Sequence, residues 1–129
     1  DYEFDLPARI LELHSTKEYG DYANDKGELP VCFIASNHTS GGNSGSPAIN
    51  GRGELIGLNF DRVWEGTMSD YNFDERRCRN IMVDVRYVLF IIDKFAGAGY
   101  LVDEMDLVYA PEETAEPVLE VQPEGGLPD

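Results

Sequence analysis

Apolar residues recur at helical spacing near the start of the chain and gather into short strand-like runs further along. Leu6, Ile10 and Leu13 fall three or four residues apart, and Pro7 suits a first helical turn, so the spacing predicts a short amphipathic helix from Pro7 to about Tyr19. Gly20 to Pro30 is polar, with Asp25-Lys26-Gly27 as a loop tip. Val31 to Ala35 then predicts a buried strand. Pro47 to Asn50, the glycine-flanked Gly51-Arg52-Gly53 and Glu54 to Phe60 predict strand, tight turn and strand. After a polar excursion from Arg62 to Arg79, the run Asn80 to Val85 predicts a last strand. Arg86 to Phe95 predicts a buried helix, stopped by Gly97 as a left-handed cap. From Ala110 onward, six acids, several prolines and no base predict a disordered or loosely draped tail. The pattern is therefore mainly β, with a helix near each end. Residues 1–28 lead in, 29–109 form the main unit and 110–129 the tail.

The chain has 129 residues, a length that suits one domain. Its formal net charge of −15 argues against nucleic acid or an anionic membrane as a partner, because both are approached through Lys and Arg patches. The densest apolar run, Tyr87 to Ile92, is far short of the roughly 20 residues a membrane-spanning helix needs. Asp1 opens no secretory leader, which leaves export undecided. Cys32 and Cys78 can be read as a pair or as two buried small hydrophobes.

Chemistry enters with Gly41-Gly42-Asn43-Ser44-Gly45-Ser46-Pro47. A cluster of Gly, Ser and Asn is by itself a loop. Here Pro47 and a strand follow it, and a serine held between glycines on a tight turn is how a chymotrypsin-like peptidase presents its nucleophile. Ser44 is the candidate nucleophile. The backbone N–H groups of Gly42 and Ser44 are the candidate pair that receives an oxyanion. Such enzymes have two packed β-barrels and need substantially more chain than this, which predicts that the chain is a piece of a longer polypeptide. Their triad runs His, Asp, Ser along the sequence, so the base and its acid are expected upstream. His14 and His38 are poor candidates for that base; His14 reads as a surface or packing residue of the first helix.

Three segments carry a family resemblance: Thr39 to Pro47, Gly53 to Gly66 and Arg79 to Ala98. They closely resemble the bacterial dipeptidyl-peptidase 7/11 family of serine exopeptidases, from about Tyr2 to Val108. The resemblance implies part of the second barrel of a chymotrypsin-like double β-barrel, with a short N-terminal and a C-terminal helix. It also implies export to the periplasm or cell surface, a homodimeric full-length protein, and peptide substrates with a free N-terminus. Ser44 matches the family nucleophile. Asp61 matches an acidic residue that holds the substrate's α-ammonium. Arg62 falls where Asp/Glu-specific members carry arginine and members preferring hydrophobic residues carry glycine.

Residue chemistry is compatible with those roles. On an extended segment, Asp61 and Arg62 point to opposite sides and can serve separate subsites. An arginine meets a carboxylate through two parallel hydrogen bonds. Without the motif, an exposed surface arginine is the ordinary reading. His38 fits either a pocket floor that donates to an acidic side chain or a loop histidine satisfied by backbone. Trp64 and Met68 fit either a pocket wall or core packing. Asp70, Asp74 and Glu75 lack the glycine-punctuated spacing of a calcium loop, and no metal or cofactor is expected. The rival readings are a dipeptidyl-peptidase of hydrophobic preference, a glutamyl endopeptidase, and a binding module that keeps the fold without the chemistry.

Overall fold

A computed structural model of the chain describes residues 2–109. The expectation for the tail, 110–129, lies outside the described residues. Four antiparallel strands form one sheet in the order β1-β4-β3-β2: β1 is Cys32–Ala35, β2 Pro47–Ile49, β3 Leu55–Arg62 and β4 Asn80–Asp84. The expected hairpin is present. Pro47 lies opposite Leu58 and Ala48 opposite Gly57, and the turn closes by Gly53 N–H donating to the Asn50 carbonyl at 3.0 Å. Among the described residues the sheet is open, with β1 and β2 at its edges.

Edge position corrects the expectation for Val31 to Ala35. Val31, Cys32 and Ile34 are exposed, Ile34 to 62 %, because β1 has a neighbour only on the β4 side. The cysteines are both free. Cys32 lies opposite Val83, while Cys78 precedes the end of β4 at which Ala35 meets Asn80. Three strand residues, about 10 Å, thus separate their levels, beyond the roughly 7 Å a disulfide spans. Only Cys78 is buried, with its Sγ 3.9 Å from Met68 Sδ.

The register of β3 against β4 contains the one irregularity that matters for chemistry. Asn59 lies opposite Met82, Asp61 opposite Ile81 and Arg62 opposite Asn80, so Phe60 has no partner and forms a bulge. Met82 and Asn80 are two apart on β4 and share a face. Asn59 and Arg62 therefore also share a face, although they are three residues apart, and Asp61 lies on the other. Close approach on the Asn59 face requires a glycine: a Cβ on Gly57 would lie 2.5 Å from the Val83 carbonyl and 2.8 Å from the Phe33 ring.

The helices gather the cluster of buried apolar side chains. α1 runs Ala8–Thr16 and stops short of Tyr19, because Lys17 turns left-handed at φ 55°. α2, Val85–Phe90, continues as a π-helical turn through Phe95, and Gly97 at φ 66° ends it as expected. Asp84 caps α2 by accepting the Arg86 N–H at 2.9 Å. Leu13, Tyr22 and Phe90 are buried together, with Tyr19 edge-on to Phe90 at 5.9 Å. Tyr22 donates its hydroxyl to Asp93 Oδ2 at 2.9 Å. A short α3, Gly99–Val102, follows without having been foreseen.

Candidate active site

Ser44 sits on the second of two consecutive tight turns. In the first, Asn43 N–H donates to the Ser40 carbonyl at 3.2 Å; in the second, Ser46 N–H donates to the Asn43 carbonyl at 3.0 Å. The third position of each turn is a left-handed glycine, Gly42 at φ 94° and Gly45 at φ 82°, as a type II turn requires. A side chain at either position would strain the backbone. Such turns leave their central N–H groups unused. Among the described residues, neither the Gly42 nor the Ser44 N–H donates to a protein acceptor, whereas Gly45 N–H is taken by the Asn59 carbonyl at 2.7 Å. Gly42 and Ser44 are exposed.

Arg62 stands beside this loop. Its Nη1 donates to Ser69 Oγ at 2.5 Å, to Asp70 Oδ1 at 3.0 Å and to the Thr39 carbonyl at 3.4 Å; its Nη2 donates to Asp70 Oδ2 at 2.9 Å. Ser69 and Asp70 arrive on a three-ten helix, Trp64–Asp70, which folds the polar excursion back over β3. Asp70 is held below the ordinary carboxylate range, chiefly by its hydrogen bonds from Arg62. Among the described residues, the Nε–H of Arg62 and the second N–H of Nη2 have no acceptor. That leaves one edge of the guanidinium for a further carboxylate.

Asn37, His38, Thr39, Arg62, Ser69 and Phe73 surround a crevice of about 10 Å³, room for a single water. The His38 ring lies against Phe73, centroids 4.7 Å apart, so His38 is in the crevice wall beside Arg62. Asp61 is not in that wall. Its carboxylate is exposed and accepts the backbone N–H of Arg62 at 2.8 Å. Ser44 and Gly42 also lie outside the crevice lining, on the turns that begin just after Thr39. Trp64 is 84 % exposed and belongs neither to a pocket wall nor to the core, while Met68 packs on Cys78. His14 is exposed on α1.

Asn59 and Asn80 are residues to which the sequence assigns strand positions but no side-chain role. They are 6 % and 1 % exposed, Asn80 Nδ2 donates to Asn59 Oδ1 at 3.0 Å, and Asn59 Nδ2 donates to the Asn43 carbonyl at 3.0 Å. Their only sequence signal is an asparagine directly after the apolar run Leu55 to Leu58 and another directly before Ile81 to Val83, in strands where asparagine is disfavoured.

The model of the family described as Peptidase S46 matches residues 1–107. The chain belongs to the peptidase S46 family. Among S46 relatives, the Asp/Glu-specific dipeptidyl-peptidase of Flavobacterium psychrophilum is 64 % identical over 109 residues, 84 % of this chain and 15 % of that protein. Dipeptidyl-peptidase 7 of Phocaeicola vulgatus is 54 % identical over 106 residues, 82 % of this chain and 15 % of that protein. Among solved structures, Porphyromonas endodontalis DPP11 superposes with a TM-score of 0.77 at 52 % identity, covering 81 % of this chain and 15 % of that one. The same enzyme in complex with the dipeptide Arg-Asp gives 0.77 at 51 % identity, over 80 % of this chain and 15 % of that one. The resemblance read from the sequence is thereby borne out. This chain spans about 15 % of the length of the S46 relatives it matches, and its antiparallel sheet with flanking helices is an architecture shared with DPP11.

Proposed function

We propose that this chain is the serine-bearing, C-terminal part of an S46 dipeptidyl-peptidase that releases N-terminal dipeptides with Asp or Glu at the second position. The observation that carries the proposal is the pairing of two unused amides, on Gly42 and Ser44, with a neighbouring arginine whose free edge matches a carboxylate. Ser44 Oγ attacks the carbonyl of the second substrate residue. Its proton passes to a base in the part of the polypeptide outside this chain, and the two amides receive the oxyanion. The peptide C–N bond breaks, the leaving amine takes the proton, and water then hydrolyses the acyl ester to free the dipeptide and restore Ser44. Asp61, exposed on the other side of β3 from Arg62, holds the substrate's α-ammonium and limits cleavage to dipeptides. Arg62 binds the Asp or Glu side chain, with His38 as a second donor from the crevice wall.

The open sheet and the exposed Ile34 and Ile49, 62 % and 58 %, support the reading that β1 to β4 belong to a larger chymotrypsin-like barrel. Export to the periplasm or cell surface and a homodimeric whole enzyme complete the proposal on the strength of the family resemblance. Alone, the chain has a serine without its base and hydrolyses nothing measurable. The rival reading of a hydrophobic preference is disfavoured by Arg62.

The test is to treat the full-length enzyme with a serine-reactive phosphonate and to compare dipeptide reporters ending in Asp and in Leu. Modification at Ser44 and faster release from the Asp reporter are expected. Labelling at another serine, or a preference for Leu, overturns the proposal.

A further inference from the structure

From the hydrogen bonds around Asn59, we infer that Asn59 and Asn80 are positioning residues that aim the Ser44 N–H, a role that rests on the catalytic reading of Ser44 given above. Asn59 grips the nucleophile turn at three points. Its backbone carbonyl accepts from Gly45 N–H at 2.7 Å, its backbone N–H donates to the Ser46 carbonyl at 2.9 Å, and its side-chain Nδ2 donates to the Asn43 carbonyl at 3.0 Å. These contacts fall on both sides of Ser44 and leave its hydroxyl free. The side-chain contact is the informative one. The Asn43 carbonyl and the Ser44 N–H belong to one planar trans peptide and point in opposite directions. Holding the carbonyl on the sheet side therefore holds the N–H on the other. The same bond polarises that peptide, which makes the Ser44 N–H a better donor to an oxyanion.

Asn80 sets the sense of the contact. An asparagine amide has a donor end and an acceptor end, and with the two ends exchanged Asn59 would turn its oxygen against the Asn43 carbonyl. Asn80 Nδ2 donates to Asn59 Oδ1 at 3.0 Å and so fixes the amide with its NH₂ toward Asn43. Donors then run one way, from Asn80 through Asn59 to the peptide of Ser44. For stability alone this is a poor filling of a sheet face. Asn80 is 1 % exposed, and its own Oδ1 accepts no hydrogen bond among the described residues. Apolar residues of similar size at both positions would remove that unpaired group together with the bond between the two amides, and such a paired replacement can be nearly neutral for stability.

Asn59→Asp and Asn80→Asp, each made singly in the full-length enzyme, test the inference, because each keeps the shape and removes the donor. Asn59→Asp is expected to lower kcat about 10²-fold, the scale of a mispositioned oxyanion donor, with KM for the Asp reporter and the Asp-over-Leu preference unchanged. Labelling of Ser44 by the phosphonate slows in parallel, while binding of the product dipeptide is retained. Asn80→Asp gives a smaller loss of the same kind. If Asn59→Asp does not fold, Asn80→Asp carries the test by the same kcat-against-KM split. Wild-type labelling at Ser44 with unchanged rates in the variants overturns the positioning role alone. A loss shared equally by kcat, product binding and thermal stability does so too, by making the pair merely structural. A wild-type enzyme that is not labelled at Ser44 overturns the catalytic reading and this inference with it.

Discussion

Asp70 holds Arg62 end-on, through hydrogen bonds of 3.0 and 2.9 Å to the two terminal nitrogens, and leaves the Nε edge of the guanidinium open. The protein's own carboxylate thus orients the arginine without occupying the edge that a substrate carboxylate would take. Ser69 and the Thr39 carbonyl fix Nη1 from the other side, and the guanidinium has little freedom left to lose on binding a carboxylate at its open edge. Pre-organisation of this kind favours binding by lowering the ordering cost.

On the proposed function, removing the arginine removes the preference for Asp or Glu. Arg62→Gly in the full-length enzyme is expected to lower kcat/KM for a reporter ending in Asp by about 10²-fold, the scale of two charge-assisted hydrogen bonds. The Leu reporter should change little. An unchanged ratio of the two kcat/KM values would show that another group reads the substrate side chain.

Asp70→Asn separates orientation from charge. The amide keeps one acceptor for the guanidinium but drops the negative charge that opposes an incoming carboxylate. KM for the Asp reporter should fall about two- to fivefold, the range of one exposed charge interaction, with kcat nearly unaffected. A rise in KM would mean that alignment by the second hydrogen bond outweighs the repulsion.

What the sequence disclosed and what it withheld divide by the range of the contacts involved. Glycine punctuation around Ser44 is local chemistry, so the tight turns and the candidate amides were legible, as were the hairpin at Gly51 to Gly53 and the helix stop at Gly97. Alternation also anticipated Asp61 and Arg62 on opposite faces. The bulge at Phe60 was not legible, because it exists only in the register of β3 on β4. The same holds for Asn59 and Asn80, 21 residues apart, and for Asp70, which reaches Arg62 only because the Trp64–Asp70 helix folds back. β1 looked buried because Val31 to Ala35 is almost wholly apolar, and its edge position, set by strand order, leaves it exposed.

Gly57 offers a test of the sheet that positions these residues. A methyl group there would meet the Val83 carbonyl at 2.5 Å and the Phe33 ring at 2.8 Å. The carbonyl belongs to the neighbouring strand and cannot yield without moving β4. Gly57→Ala is expected to destabilise the full-length enzyme by about 1–3 kcal/mol, as overpacking does, read as a lower thermal unfolding midpoint. An unchanged midpoint would mean that β3 and β4 lie further apart at this level.

Tyr22 gives the pH prediction. Burial first, and then its hydrogen bond to Asp93, push its phenol up to about 12. A group whose folded pKa is raised stabilises the fold fully below its unfolded value, near 10 for tyrosine, and that stabilisation is lost as pH rises through about 12. The packing of α1 against the helix that carries Phe90 and Asp93 should therefore hold through moderately alkaline pH and loosen between about pH 10 and 12. Tyrosinate absorbance followed against pH should show a late-ionising component that vanishes in Tyr22→Phe. The variant should also lose about 1 kcal/mol at neutral pH, the net worth of one hydrogen bond, and its remaining stability should fall less steeply over the same alkaline interval. If the late component persists in Tyr22→Phe, the hydroxyl that Asp93 accepts is not the one that holds this core together at high pH.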